Sequence, residues 1–200
     1  MIGVVDYEAG NIASVSNALS QIGTGFLVSN DPGQLASCDG VILPGVGAAP
    51  AAMASLRERN LLEFLATLDI PFLGICLGME LLYHYSEEGD TPCLGVLPGS
   101  VRKIDESACK VPHIGWNRVE FLGTHAIFEP EGRSEYYYFA HSYAARVDAS
   151  TAGVVDCGIR LAAAVSNGNY FGVQFHPEKS GSAGLRLLKN FDALCKSYRR

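Results

Sequence analysis

Charge is scarce in this sequence. Only 18% of its 200 residues are Asp, Glu, Lys or Arg, and 15 basic residues face 21 acidic ones. No basic block occurs beyond the terminal Arg199 and Arg200, which argues against nucleic acid as a partner. Long apolar runs are missing too. Residues 9 to 30 carry no charge, but Asn11, Ser14, Ser16, Asn17, Ser20, Gln21 and three glycines interrupt them. No window of about 20 apolar residues is left to cross a membrane. The first six residues lack the cationic start and separate apolar stretch of a secretory signal, so a cytoplasmic protein is expected. The six cysteines, at 38, 76, 93, 109, 157 and 195, include no C-x-x-C pair and no nearby His pair. Neither a zinc site nor a disulfide framework is expected from that spacing, and no cofactor is called for. All but Cys76 read as reduced, mostly buried thiols. Repeats, low-complexity segments and linkers are absent as well, so residues 1–200 are expected to form one domain.

What is present is a 48% apolar chain whose first half alternates short apolar runs with helical patterns, the signature of a parallel sheet covered by helices. Residues 2–5, 25–28, 40–43 and 71–75 read as strands. Asn11 can cap a helix carrying Ile12, Val15, Ala18, Leu19 and Ile22 at three- and four-residue steps. Residues 51–68 form a helical stretch with a break near Asn60, and residues 77–85 read as a further helix. The second half is rich in β-branched and aromatic residues over 96–104, 118–121, 136–143, 161–166 and 170–175, which predicts a mixed or antiparallel extension of the sheet. A last amphipathic helix over 182–197 places Leu185, Leu188, Phe191, Leu194 and Cys195 on one face. The fold class is a single-domain α/β protein with a mostly parallel central sheet.

The chemistry concentrates in two segments. In Phe72-Leu73-Gly74-Ile75-Cys76-Leu77-Gly78-Met79, a cysteine stands between glycines where an apolar strand meets a helix, the pattern of a nucleophile elbow. A helix start beside the sulfur is expected to lower the thiol pKa, and the Leu77 N–H is aimed at an oxyanion forming there. In Tyr170-Phe171-Gly172-Val173-Gln174-Phe175-His176-Pro177-Glu178, an alternating strand delivers a histidine, with a carboxylate two residues later. Together Cys76, His176 and Glu178 read as a nucleophile, a general base and the group that orients it. His113, His141, His84 and His125 carry no comparable argument of their own.

With these motifs the sequence resembles the class I, or triad, glutamine amidotransferases. Asp6-Tyr7 with Gly10-Asn11, Pro44-Gly45-Val46-Gly47, Lys110 to Asn117 and Tyr138 to Tyr143 extend the likeness over nearly the whole chain. Within that class it is most similar to the glutaminase subunits of imidazole glycerol phosphate synthases. The resemblance implies that Cys76 attacks the side-chain amide of glutamine, that His176 moves the proton, and that Glu178 orients His176. It implies an oxyanion held by backbone N–H groups of Leu77 and Val46, and substrate contacts from Gly45, Gly47, Glu80, His141, Ser142 and Tyr143. It further implies a (β/α) barrel cyclase partner that receives the ammonia, bordered by Asn11, Trp116, Asn117, Tyr138 and Lys179.

Three positions depart from the family pattern. Glu80 replaces the usual Gln after Cys-Leu-Gly-Met, Glu8 the usual Gly after Asp-Tyr, and Ala13 a larger residue. An ionised Glu80 cannot donate a hydrogen bond, but as a carboxylate it could pair with the substrate α-ammonium. These departures keep open a paralogous glutaminase that feeds a different acceptor, such as a sugar amidotransferase of surface-polysaccharide synthesis. A non-hydrolysing relative that only binds is the remaining alternative, and the intact triad argues against it.

Overall fold

A computed structural model describes residues 1–8, 11–130 and 132–198. Gly10 of the amino-terminal motif and the terminal Arg199 and Arg200 lie outside them.

The first 80 residues build a sheet with both faces covered. Strand β1 (Ile2–Val5) is followed by helix α1 (Ile12–Gln21), strand β2 (Phe26–Ser29) and the short helix α2 (Pro32–Ala36). Strand β3 (Gly40–Gly45) then leads to helices α3 (Ala49–Glu58) and α4 (Leu62–Ala66), and strand β4 (Phe72–Cys76) ends at the elbow. These strands run parallel in the order β2-β1-β3-β4. β1, β3 and β4 are buried along their whole length, which is why they read as continuous apolar runs. Their side chains still divide between the faces. Ile2, Val4, Ile42, Leu73 and Ile75 pack with Val15 and Leu19 of α1, while Val5, Val41, Leu43 and Phe72 pack with Met53, Leu56 and Leu65 of α3 and α4. Each fully buried Leu or Ile contributes roughly 1.5–3 kcal/mol. Asn60, at φ 57°, separates α3 from α4.

Beyond the elbow, the one-turn helix α5 (Leu77–Glu80) replaces the longer helix expected over 77–85, and strand β5 (Tyr83–Ser86) follows at once. Leu77, Met79, Leu81 and Leu82 are all buried, so this segment has no polar face for a surface helix to present. β5, β6 (Thr91–Pro92), β7 (Leu97–Lys103) and, later, β10 (Tyr143–Ala145) form a separate four-stranded sheet. The sequence reading assigned no such second sheet.

The other strands extend the main sheet. They are β8 (His113–Phe121), β9 (Ser134–His141), β11 (Thr151–Asp156), β12 (Arg160–Asn167) and β13 (Tyr170–Val173). β13 joins β4 in parallel, and β12, β11, β8 and β9 continue antiparallel. Among the described residues the sheet holds nine strands. β11 escaped sequence reading because its small residues and the register shifts around Gly153 hide the alternation. Helix α6 (Gly181–Tyr198) closes the first face with Leu187, Leu188 and Phe191, and Leu185 and Leu194 pack half-buried against it. No helix among the described residues is long and apolar enough to cross a membrane.

Candidate active site

The parallel strands β3 and β4 end side by side, Gly45 paired with Cys76, so the site lies at the carboxyl edge of the sheet, where open α/β sheets leave a crevice. Cys76 turns the chain with φ 53° and ψ −110°, a conformation that an L residue holds only under constraint. The constraint is visible on both sides. A Cβ on Gly74 would overlap the Gly78 carbonyl, and a Cβ on Gly78 would overlap the Leu43 carbonyl oxygen. The glycines flanking Cys76 let backbone pack against backbone, and the turn they permit carries the sulfur out of the strand.

The sulfur forms part of the wall of a cavity of about 210 Å³. Val46, Gly47, Leu77, Glu80, His141, Ser142 and Tyr143 line it, together with Glu88, Pro112, Ile114 and Ala140. Of the residues expected to meet the substrate, Gly45 alone sits behind this wall, against Tyr7, Leu77 and Gly78. Cys76 Sγ lies 4.0 Å from the Ala140 carbonyl and 3.9 Å from the Gln174 amide nitrogen. Burial pushes the thiol pKa well up, Glu80 adds to the shift, and the Leu77 N–H opposes it. The lowering expected from a helix start is not realised. α5 is only four residues long, and desolvation of a buried sulfur outweighs its few aligned peptides.

His176 and Glu178 are brought in by the chain leaving β13. The imidazole is 1% exposed and the Glu178 side chain fully buried, with His176 Nδ1 2.8 Å from Glu178 Oε1. A carboxylate oxygen accepts only, so Nδ1 carries the proton and Nε2 is the nitrogen left to act as base. The His176 main chain is held from two sides. The His176 N–H donates to the Tyr138 carbonyl at 2.9 Å, and Ser180 Oγ donates to the His176 carbonyl at 2.6 Å.

Asn11 departs from its expected role. Its backbone is left-handed at φ 86°, and its side chain makes no capping bond to α1. Instead Nδ2 donates to Glu178 Oε1 at 2.6 Å. The usual glycine position at residue 8 also keeps a left-handed backbone, φ 66°, although it is Glu8. The Glu8 side chain is largely exposed and ion-paired to Arg59 at 2.6 Å. Ala13 lies on the exposed face of α1.

The 141–143 segment is held by a directed hydrogen-bond chain. His141 Nδ1 donates to the Tyr143 carbonyl at 2.7 Å, which leaves its Nε2 to accept from His113 Nδ1 at 3.0 Å. His113 Nε2 then accepts from Asn117 Nδ2 at 3.2 Å. Both rings are held neutral by burial, His141 down to about 4. His113 thus has a defined structural partner to which no sequence motif points.

Glu80 is 5% exposed and accepts a hydrogen bond from Gln174 Nε2 at 2.7 Å. Burial pushes its pKa up to about 8, with Glu88 adding to the shift and the Gln174 bond opposing it. It is therefore not the free carboxylate expected to meet an α-ammonium. Sequence reasoning also passed over Gln174 and Glu88. The one amide inside the apolar run 170–175 was the available signal for Gln174, whereas nothing in the pattern marked Glu88.

Trp116 is 56% exposed and meets Tyr138 edge-on, with ring centroids 6.3 Å apart. Lys179 Nζ stands 5.9 Å from the Tyr138 ring centroid. Asn117 projects from the opposite face of β8, where its amide also donates to the Asp156 carbonyl at 3.0 Å.

A strand-to-turn cysteine thus walls a cavity at the edge of an α/β sheet, and the neighbouring strand β13 leads the chain into a buried His–Glu pair. A family model for the class-I glutamine amidotransferases matches residues 3–193. The chain belongs to that family and is a glutamine amidotransferase. It is 44% identical to imidazole glycerol phosphate synthase subunit HisH of Bacillus cereus, over all of this chain and 97% of that protein. It is 42% identical to subunit HisH 2 of Legionella pneumophila, over 97% of this chain and 98% of that protein. A crystal structure described as a glutamine amidotransferase superposes with a TM-score of 0.76 at 19% identity, over 98% of each chain.

Proposed function

We propose that this chain is the glutaminase subunit of an imidazole glycerol phosphate synthase, working through Cys76, His176 and Glu178. His176 Nε2 takes the thiol proton as Cys76 Sγ attacks the side-chain amide carbon of glutamine. The tetrahedral oxyanion is met by the Leu77 N–H and by a backbone N–H at Val46, which follows the Gly45–Cys76 pair onto the cavity wall. The proton passes to the departing ammonia, and water, activated by the same imidazole, hydrolyses the glutamyl thioester to glutamate. Glu178 holds the ring and offsets its positive charge while it is protonated.

The observation that carries this reading is the buried His176–Glu178 pair just past the end of β13, the strand that lies beside the one ending in Cys76. The likeness over full length to two synthase subunits supports the choice of acceptor. Gly47, His141, Ser142 and Tyr143 give the substrate its walls. Glu88, the second carboxylate of the cavity, is the one available to its α-ammonium, because Glu80 is occupied by Gln174.

The partner surface we assign is the outer face of the β8–β9 edge. The register pairs Trp116 with Tyr138 and Arg118 with Tyr136, and side chains two apart share a face. Ile114, Trp116 and Tyr136 are each more than half exposed, an apolar patch of the kind that marks a protein interface. Asn11 and Lys179 lie at its triad end, where a docked (β/α) barrel cyclase would receive ammonia directly. Mixing the chain with the histidine-pathway cyclase and its phosphorylated nucleotide-derived ligand tests the assignment. Glutamate release should rise strongly, and Trp116→Ala should weaken that response while leaving the basal rate alone. Stimulation only by a different barrel protein would favour another ammonia acceptor.

A further inference from the structure

Beside the nucleophile lies a buried polar cluster that the triad does not use. Gln174 is fully buried. Its amide nitrogen lies 2.7 Å from Glu80 Oε1 and 3.9 Å from Cys76 Sγ, so its two N–H groups have two acceptors to divide between them. Its oxygen, Oε1, is buried with no hydrogen-bond partner. An ionised Glu80 can only accept, and leaves that oxygen unsatisfied at a penalty of about 1–3 kcal/mol. A protonated Glu80 supplies the missing donor and can close the two-bond ring of a carboxylic acid against a primary amide.

The charges around Glu80 favour the same state. Glu88, on the loop after β5, raises the Glu80 pKa, and an ionised Glu80 would in turn raise those of Cys76 at the end of β4, Tyr7 beyond β1 and Cys93 beyond β6. Each of these is negative when ionised, and no cation acts on Glu80 among the groups that shift it. A second negative charge here would oppose the Cys76 thiolate.

We propose that Glu80 is a positioning residue that works as a neutral carboxylic acid, donating its proton to the Gln174 oxygen and so holding the other amide N–H toward the Cys76 sulfur. Loss of that proton breaks the ring, leaves Gln174 free to give both donors to the carboxylate, and places a negative charge beside the nucleophile. The amide then ceases to support the thiolate, and the site shuts down on the alkaline side. A Gln at this position would form an amide pair with Gln174 that does not titrate. The Glu of this chain makes the same support depend on pH.

The inference rests on Cys76 being the nucleophile, and two measurements on the full-length chain keep the two readings apart. The first is the rate at which a glutamine-like electrophile alkylates Cys76, followed from pH 6 to pH 9.5 with the label located by peptide mapping. For the wild type it should pass through a maximum and then fall about tenfold for each pH unit beyond the Glu80 titration. Glu80→Gln should lose that fall, whereas Glu80→Met, which keeps the volume without the donor, should be slow at every pH. The second is the infrared spectrum, where the wild type at pH 7 should show a protonated-carboxyl stretch that shifts in heavy water and is missing from Glu80→Gln. Absence of this band, or equal alkaline limbs in wild type and Glu80→Gln, would overturn the proposal. A label found on another thiol would overturn the assignment of Cys76, while the infrared band still decides whether Glu80 holds its proton.

Discussion

Asn11 Nδ2 and His176 Nδ1 converge on one oxygen, Glu178 Oε1, at 2.6 and 2.8 Å. The residue that opens α1 therefore braces the orienting member of the triad across 167 positions of sequence. Hydrogen bonds to a charged group contribute about 1.5–3 kcal/mol. Asn11→Ala should accordingly lower kcat about 10- to 100-fold with KM for glutamine nearly unchanged, as steady-state glutamate release would show. Full kcat in the variant would reduce Asn11 to a turn residue.

The three triad positions should rank by what each does to the proton. Cys76→Ala should abolish glutamine hydrolysis, because no other group can form the thioester. His176→Asn should fall nearly as far, and Glu178→Gln should retain more, since that residue orients rather than transfers. Single-turnover rates on the three variants check the order, and a harsher Glu178→Gln would reverse the assigned roles.

Glu88 has two tasks that one variant can separate. Its Oε2 accepts the Ala49 N–H at 2.7 Å at the start of α3, and its side chain lines the substrate cavity. Glu88→Gln keeps an oxygen for the backbone bond but loses the charge offered to an α-ammonium. KM for glutamine should rise about tenfold or more with kcat little changed, in line with a charged hydrogen bond worth about 1.5–3 kcal/mol. A variant with unchanged KM would place the α-ammonium elsewhere.

Stability should respond to pH in opposite senses at Glu80 and His141. Glu80 titrates near 8 when folded, against 4.5 for the free side chain, so the native state binds more protons than the unfolded chain between those values. Stability from this group is complete below about pH 4.5 and is lost as pH rises through 8. His141 titrates near 4 against 6.5, so its share is present above pH 6.5 and is lost as pH falls through 4. Urea unfolding of wild type and Glu80→Gln isolates the first effect. Relative to the wild type, the variant should gain stability between pH 5 and pH 9, and a constant difference would show that Glu80 does not titrate in that range.

The elbow should tolerate no added carbon. Gly78→Ala would drive a Cβ into the Leu43 carbonyl oxygen, and neither the buried turn of α5 nor the buried strand β3 has room to give way. A loss of about 3 kcal/mol or more is expected, at the high end for single substitutions. Thermal unfolding would measure it, and a near-native melting temperature would mean that the turn has room for the extra carbon.

Much of this protein could be read along the chain because local physics fixes it. The four parallel strands and the helices between them follow from apolar runs and three- and four-residue spacing. The nucleophile follows from glycines that only a tight strand-to-helix turn requires. His176 and Glu178 could be paired because they stand two residues apart, although a 3-10 turn over Pro177–Lys179, and not extended chain, brings the carboxylate back to the ring.

Tertiary structure decided what depends on which distant atoms share a desolvated space. Asn11 has the sequence of a helix cap, yet its side chain reaches Glu178, because its left-handed backbone turns the amide away from α1. Glu80 carries a charge in the sequence, but burial against Gln174 and a shortage of nearby cations raise its pKa. The sequence suggested a thiol acidified by a helix, and desolvation reversed the sign because the helix is a single turn. Each of these outcomes is set by burial and by which side chains, near or far in sequence, share the buried space, and no local pattern records either one.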